Sequence, residues 1–175
     1  MIDEFKILLL GDYISGKTTF SDKLIKREFF EHTQPTIAST FFESSVNLKN
    51  GHEVILHIWD TIGTSQLLKQ NEIFYKGAHG VILFYDITRR GSFEIIEEYF
   101  IESLKKQFIK MPAIYLIGNK KDLEERREIS EKEGEELAKK EGFLFKEISV
   151  KTDTVGTLNE ILQELAEKIN KNFHN

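Results

Sequence analysis

The stretch ILLLGDYISGKTT, Ile7 to Thr19, decides how the chain folds. Its opening belongs to an apolar run from Phe5 to Leu10, the pattern of a short strand buried on both faces. Gly11 then ends the run, and Gly16, Lys17 and Thr18 follow after four residues, the spacing of a phosphate cradle on a strand-to-helix turn. Backbone N–H groups between Gly11 and Thr19, those of Asp12, Tyr13, Ile14 and Ser15 among them, would face the ligand. The helix N-terminus would add its positive end. Lys17 would reach the β- and γ-phosphate oxygens, and Thr18 would offer its hydroxyl to a magnesium ion, which keeps several waters and takes few protein ligands.

Outward from this loop the chain alternates. Phe20, Leu24 and Ile25 recur at helical spacing, which predicts a helix from Gly16 to about Phe30. Two extended stretches, about Phe41 to Leu48 and Glu53 to Trp59, flank Asn50-Gly51, a strong hairpin signal because both residues tolerate positive φ. A strand Val81 to Tyr85, a long helix opening near Ser92 and a strand Ile114 to Gly118 follow. Ser130 and Glu133 form a capping box for the next helix. A strand from about Phe143 to Val150 leads to a last helix after Thr157, again with an acidic residue, Glu160, three positions on. Strands alternating with helices, plus one hairpin, predict a mostly parallel α/β sheet covered on both faces, with ligands at the carboxyl ends of the strands.

Composition narrows the function. The 175 residues fit one domain, and the formal net charge of −5 with mixed signs throughout excludes a dedicated nucleic-acid binder. With no cysteine there is no disulfide, thiolate zinc site, cysteine nucleophile or thioether lipid anchor on the chain as given. No run approaches the roughly 18 to 20 apolar residues that cross a bilayer, and the acidic start MIDEFKILLLGD is no signal peptide, so the expected location is the cytoplasm. His52, His57 and His79 lack metal-ligand spacing, while Glu124 to Arg127 and Glu131 to Glu136 read as solvated charge with i,i+4 pairing.

Four further motifs fall at predicted strand ends or in the loop before the hairpin. Asp60-Thr61-Ile62-Gly63 follows the strand ending at Trp59: Asp60 would hold magnesium through a water, and the Gly63 N–H would sense a γ-phosphate oxygen. Alone, Asp-x-x-Gly is an ordinary turn; its position gives it weight. Asn119-Lys120-Lys121-Asp122 follows Gly118. The two acceptor oxygens of Asp122 match the N1–H and N2 amine of guanine, whereas adenine offers an acceptor at N1 and nothing at C2. Asn119 would brace the loop, and the Lys120 stem would lie against the ring. Ser149-Val150-Lys151 would bring a backbone N–H to guanine O6, and Thr36 would supply a second hydroxyl to magnesium.

With these five motifs in order, the sequence resembles the small GTPases of the Ras superfamily over its whole length, most of all the Rab branch. PTIASTF from Pro35, HIWDTIGTSQ from His57, FYKGAHG from Phe74 and LFYDIT from Leu83 carry the likeness. The resemblance implies a single G-domain over residues 1–175: a six-stranded, mostly parallel sheet with one antiparallel, hairpin-linked strand and about five helices on both faces. It implies GTP/GDP and Mg2+ as ligands, Phe29 stacked on guanine, and Lys17, Thr36 and Gly63 around the γ-phosphate. It also implies a monomeric switch whose effectors, exchange factors and activators meet the switch segments and the hairpin. Phe41, Phe42 and Trp59 are candidates for that surface.

Three positions depart from the family. Tyr13 stands where glycine is typical, Ile62 where alanine is usual, and Thr64 where a glutamine would orient the attacking water. Thr64 alone resembles the Rap branch, which still hydrolyses GTP with its own activator; all three together look more like the Rnd group, which hardly does. A ring at Tyr13 that crowds the water, a branched side chain at Ile62 and the missing amide would slow hydrolysis. Tyr13 pointing outward would remove the first of these. The alternative function is a nucleotide-locked interaction scaffold. The chain also stops at Phe173-His174-Asn175, where Rab proteins continue to a lipidated tail, so either a tail is missing or membrane recruitment is indirect.

Overall fold

The structure, a computed structural model, describes residues 3–30, 39–61 and 75–174. The apolar runs become the inner strands: β1 (Asp3–Gly11), β4 (Gly80–Asp86) and β5 (Ala113–Asn119), the last two buried at every position. With β2 (Thr40–Asn47), β3 (Glu53–Asp60) and β6 (Leu144–Glu147) they form one sheet in the order β2-β3-β1-β4-β5-β6. Only β2 runs antiparallel, against β3. The turn between them forms at Asn50-Gly51 as expected, with Gly51 at φ 83° and Asn50 Oδ1 accepting from the His52 N–H.

Alternation along each strand divides the core between two faces. Ile7 and Leu9 of β1 lie under α1 (Lys17–Lys26) and the C-terminal helix α4 (Val155–His174), whose Leu158, Ile161, Leu162 and Leu165 are fully buried. Leu8 and Leu10 face the other way. They lie under α2, which runs Arg90–Ile95, Ile96–Ile101 and Glu102–Gln107, and under α3 (Glu131–Glu141). The middle part of α2 is π-helical, and the wider turn lets Ile96, Phe100 and Ile101 all reach the core.

Some boundaries differ from the sequence reading. Helix α1 stops at Lys26 instead of near Phe30, because Arg27 turns left-handed at φ 62° and its N–H closes on the Lys23 carbonyl. Ile25, grouped by spacing with Phe20 and Leu24, lies on the solvent face instead, at 54% exposure. Strand β6 ends at Glu147, where β5 runs out of partners, and Ile148 to Val150 leave the sheet for the site described below. Helix α4 starts at Val155, since Thr154 Oγ1, not Thr157, accepts the first-turn N–H, at 3.2 Å from Thr157 N. Glu160, expected to support a cap, pairs with Lys146 at 3.3 Å. Helix α2 opens at Arg90, with the Ser92 hydroxyl accepting from the Asp86 N–H at 3.0 Å. The Ser130–Glu133 capping box on α3 forms as read.

Arg127 is no solvated charge. It forks onto Glu147 at 2.6 and 2.7 Å and onto Glu124, closing the loop that carries a short 3-10 helix, Lys121–Arg126. Of the three histidines singled out above, His79 Nδ1 accepts from the Lys6 N–H at 2.8 Å, His57 lies between Glu4 and Glu43, and His52 lies 3.1 Å from Asp3.

Gly134 on α3 is a test of how tightly this face is filled. An added Cβ would lie 2.5 Å from Tyr85 Oη and 2.6 Å from the Phe145 ring, and Tyr85 is fully buried and edge-packed on Phe93. Alanine's helical advantage of about 1 kcal/mol is therefore outweighed by overpacking. Gly134→Ala is expected to lower the unfolding free energy by about 1–3 kcal/mol in urea titrations.

Candidate functional site

The carboxyl ends of β1, β3, β4 and β5 and the segment after β6 converge at one edge of the sheet. Gly11 leaves β1 at φ 144°, and a Cβ there would lie 2.2 Å from the Phe84 carbonyl oxygen of β4. Gly16 sits at φ 103° as the N-cap of α1, and a Cβ there would lie 2.0 Å from Asn119 Nδ2. Both glycines are thus demanded twice, by conformation and by space. Between them Ile14 takes φ 57°, a left-handed conformation that costs a β-branched residue about 1–2 kcal/mol. The sequence marks the Ile14 N–H as one of those facing the ligand but gives no sign of this left-handed backbone.

Lys17 is buried beneath the loop and donates to the Gly11 and Asp12 carbonyls at 3.0 and 2.8 Å. Burial lowers its pKa to about 8, against the pull of the Asp60 and Asp12 carboxylates, which raise it. Asp60 is fully buried at the end of β3, next to Leu9 in the β1 register. Thr61 beside it donates to the Leu9 carbonyl at 2.7 Å and so fixes where the chain leaves the sheet. Among the described residues no group of three or more His, Cys, Asp or Glu is placed to hold a metal. A hard cation such as magnesium needs less: Asp60 and the Thr18 hydroxyl suit one completed by water and phosphate oxygens. Thr36, Ile62, Gly63, Thr64 and Gln66 lie outside the described residues.

Asn119, buried at the end of β5, joins the loops. Its Nδ2 donates to the Ser15 carbonyl at 2.9 Å, and its Oδ1 accepts from the Val150 N–H at 3.1 Å. Asp122 accepts from the Ser149 hydroxyl at 2.6 Å, while the Ser149 N–H donates to Asp153 at 3.0 Å. Lys120, left-handed at φ 69°, extends its ammonium to the buried Asp86 at 2.7 Å. Phe29 is half-buried against the core face that includes Leu24 and Val150.

Three contributors escaped the sequence reading. Lys23 donates to the Val150 and Lys151 carbonyls at 2.7 and 3.1 Å, clipping α1 to the segment after β6. Its signal was a lysine three residues after Phe20 on a buried stripe. Asp86 holds both Lys120 and, at 2.7 Å, the Thr88 hydroxyl. Arg89 donates to the Tyr13 carbonyl at 2.9 Å and to Asp12 Oδ2 at 2.7 Å, and no local pattern marks it. Its guanidinium lies 4.7 Å from the centre of the Tyr13 ring, which is 43% exposed. Of the two orientations left open for Tyr13, the outward one is the one seen.

Glycine cradle, buried lysine, strand-end aspartate and braced Asn-Lys-x-Asp loop on this strand order define an α/β small G-domain. Residues 6–171 match the Ras family. The Ras-related protein Rab5 of Nicotiana tabacum is 34% identical over 164 residues, 94% of this chain and 80% of the relative. Ras-related protein Rab-2B of Dictyostelium discoideum is 34% identical over 167 residues, covering 95% of this chain and 81% of its own. Ras-related protein Rab-17 of Mus musculus is 34% identical over 166 residues, with 93% and 76% covered. The chain belongs to the Ras family and is a Ras-superfamily small GTPase of Rab type.

Because a Gly16 Cβ would meet Asn119 itself, the two positions are coupled. Asn119→Ala is expected to cost about 2–4 kcal/mol by leaving the Ser15 carbonyl and the Val150 N–H unpaired. Gly16→Ala on top of it should cost at least about 1 kcal/mol less than Gly16→Ala alone, since only the backbone strain remains. A double-mutant cycle by urea unfolding measures the difference.

Proposed function

We propose that this small GTPase is a guanine-nucleotide switch that binds GTP and GDP with Mg2+ and turns itself off slowly. The observation that carries the guanine reading is the fastening of Asp122. The Ser149 hydroxyl holds one of its oxygens, and Asn119 ties the same segment to the phosphate cradle, so base and phosphates would be gripped by a single unit. Lys17 would reach the phosphates, Thr18, Thr36 and Asp60 would hold the magnesium ion, and a backbone N–H of the Ser149-Val150-Lys151 segment would face guanine O6. Phe29 and the Lys120 stem flank the ring. When bound, the magnesium ion neutralises phosphate charge. The chain's own part is to hold the nucleotide and to order the Thr36 and Gly63 segments around the γ-phosphate.

Slow hydrolysis now rests on Thr64, with Ile62 as a second contributor. A threonine hydroxyl cannot span the distance a glutamine amide spans to the attacking water. Tyr13 adds little, because its ring is engaged by Arg89.

Effectors would read the switch segments together with β2 and β3. There Phe41 is 47% exposed, stacks on His57 with centroids 5.6 Å apart and lies 5.1 Å from Trp59. Partners are therefore proteins with an apolar anchor for that aromatic edge, and a role in vesicle traffic is the reading for a Rab-type chain. No helix of the described residues is long and apolar enough to cross a membrane, so any attachment would come through a lipidated tail or a partner.

Denaturing the purified protein and identifying the released nucleotide tests the base assignment: GDP or GTP is expected, and ATP would overturn it. Single-turnover hydrolysis without an activator tests the second half. Thr64→Gln is expected to raise the rate about tenfold or more, and equal rates in parent and variant would refute the role given to Thr64.

A further inference from the structure

We propose that Arg89 is a positioning residue for the phosphates: from the loop between β4 and α2 it holds the Tyr13–Ile14 peptide so that the Ile14 N–H faces the ligand. The inference rests on the cradle being a nucleotide site and adds to it a side chain that lies outside all five motifs.

The carbonyls of the three residues leading into the cradle are each held by a cation. Lys17 takes those of Gly11 and Asp12 from beneath, and Arg89 Nη1 takes that of Tyr13 at 2.9 Å from the exposed rim. In a trans peptide the C=O and N–H point to opposite sides. With the Tyr13 oxygen drawn out to Arg89, the N–H of Ile14 in the same peptide plane points the other way, into the loop. Such inward N–H groups are what a phosphate-binding turn offers an anion.

The loop needs an external hold at this point. Ile14 is left-handed at φ 57°, a conformation that a β-branched side chain resists and that glycine would adopt freely. Tyr13 answers with its ring. The guanidinium stacks on it at 4.7 Å, while Asp12 Oδ2, 2.7 Å from Nη2, fixes the plane of the fork. Arginine suits this position because its planar donors can serve a carbonyl and a carboxylate at once while its face covers a ring. The backbone of Arg89 is itself anchored: its N–H donates to the Asp86 carbonyl at 3.0 Å, and its carbonyl accepts from the Ser92 N–H at 3.0 Å. Tyr13, standing where glycine is typical, and the left-handed Ile14 are therefore matched by an arginine that holds the loop from outside.

The prediction concerns phosphates beyond the first. Fluorescent GDP and GMP are to be titrated into nucleotide-stripped parent protein, Arg89→Ala and Arg89→Met, the last keeping an apolar stem over the Tyr13 ring without the donors. Both variants are expected to bind GDP at least tenfold more weakly than the parent and GMP within twofold of it. GDP affinity within twofold of the parent in both variants would overturn the proposal, and so would equal losses for GDP and GMP, which a general loosening of the fold would cause. A parent protein that binds neither nucleotide would overturn the guanine-nucleotide reading and this one together; a parent that binds GDP while the variants match it overturns the role of Arg89 alone.

Discussion

One side-chain amide holds the site together. Asn119 is buried at the end of β5, where a donor or acceptor without a partner would cost about 1–3 kcal/mol, and it spends its donor on Ser15 and its acceptor on Val150. The assignment of its two ends is fixed by these partners, a carbonyl on one side and an N–H on the other. Gly16 is the complement of this arrangement, since only a residue without Cβ lets the amide come so close. Around the bridge, Lys23 and the Lys121 N–H, which donates to the Ile148 carbonyl at 3.0 Å, pull the segment after β6 against α1 and the Asn119 loop. Three loops from distant parts of the chain are thereby tied to one another.

A second node lies at the end of β4. Asp86 receives the Lys120 ammonium on one oxygen and the Thr88 hydroxyl and N–H on the other. The same residue therefore ties down the left-handed turn at Lys120 and shapes the turn that delivers Arg89. Buried charges occur only where such partners exist. Lys17 obeys the same rule. Its burial is offset by two carbonyls and by the fields of Asp60 and Asp12.

What could be read beforehand is what short-range chemistry dictates. Continuous apolar runs located the inner strands, Asn50-Gly51 located the hairpin and Ser130 with Glu133 located a helix start, while fixed spacings picked out Gly11 and Gly16, which the structure places at positive φ on the strand-to-helix turn. What escaped depends on a partner far away in sequence. Arg27 ends α1 eleven residues after Gly16 although no Gly or Pro marks the spot, and Arg127 looks like surface charge until Glu147 arrives from β6. Arg89 and Asp12 are 77 positions apart, so no window of local sequence contains both. Glu160, three positions on, points to a helix start at Thr157, whereas the structure puts the Thr154 hydroxyl under the Thr157 N–H.

Tyr13 shows how one such distant partner changes a functional argument. Read along the chain, an aromatic ring between two cradle glycines is an obstruction, and obstruction argues for an impaired enzyme. Set beside Arg89, the ring is a platform on the rim, and the backbone it belongs to is held by the residue it supports. On the function proposed above, the departure from glycine would bear on how firmly the phosphates are held more than on how quickly water attacks them. Binding and hydrolysis would thereby be separated: Arg89 supports the cradle where Tyr13 departs from glycine, while the proposal of slow hydrolysis rests on Thr64. A chain built this way would grip its nucleotide through a stiffened loop and depend on an activator, or on slow chemistry, to release the γ-phosphate.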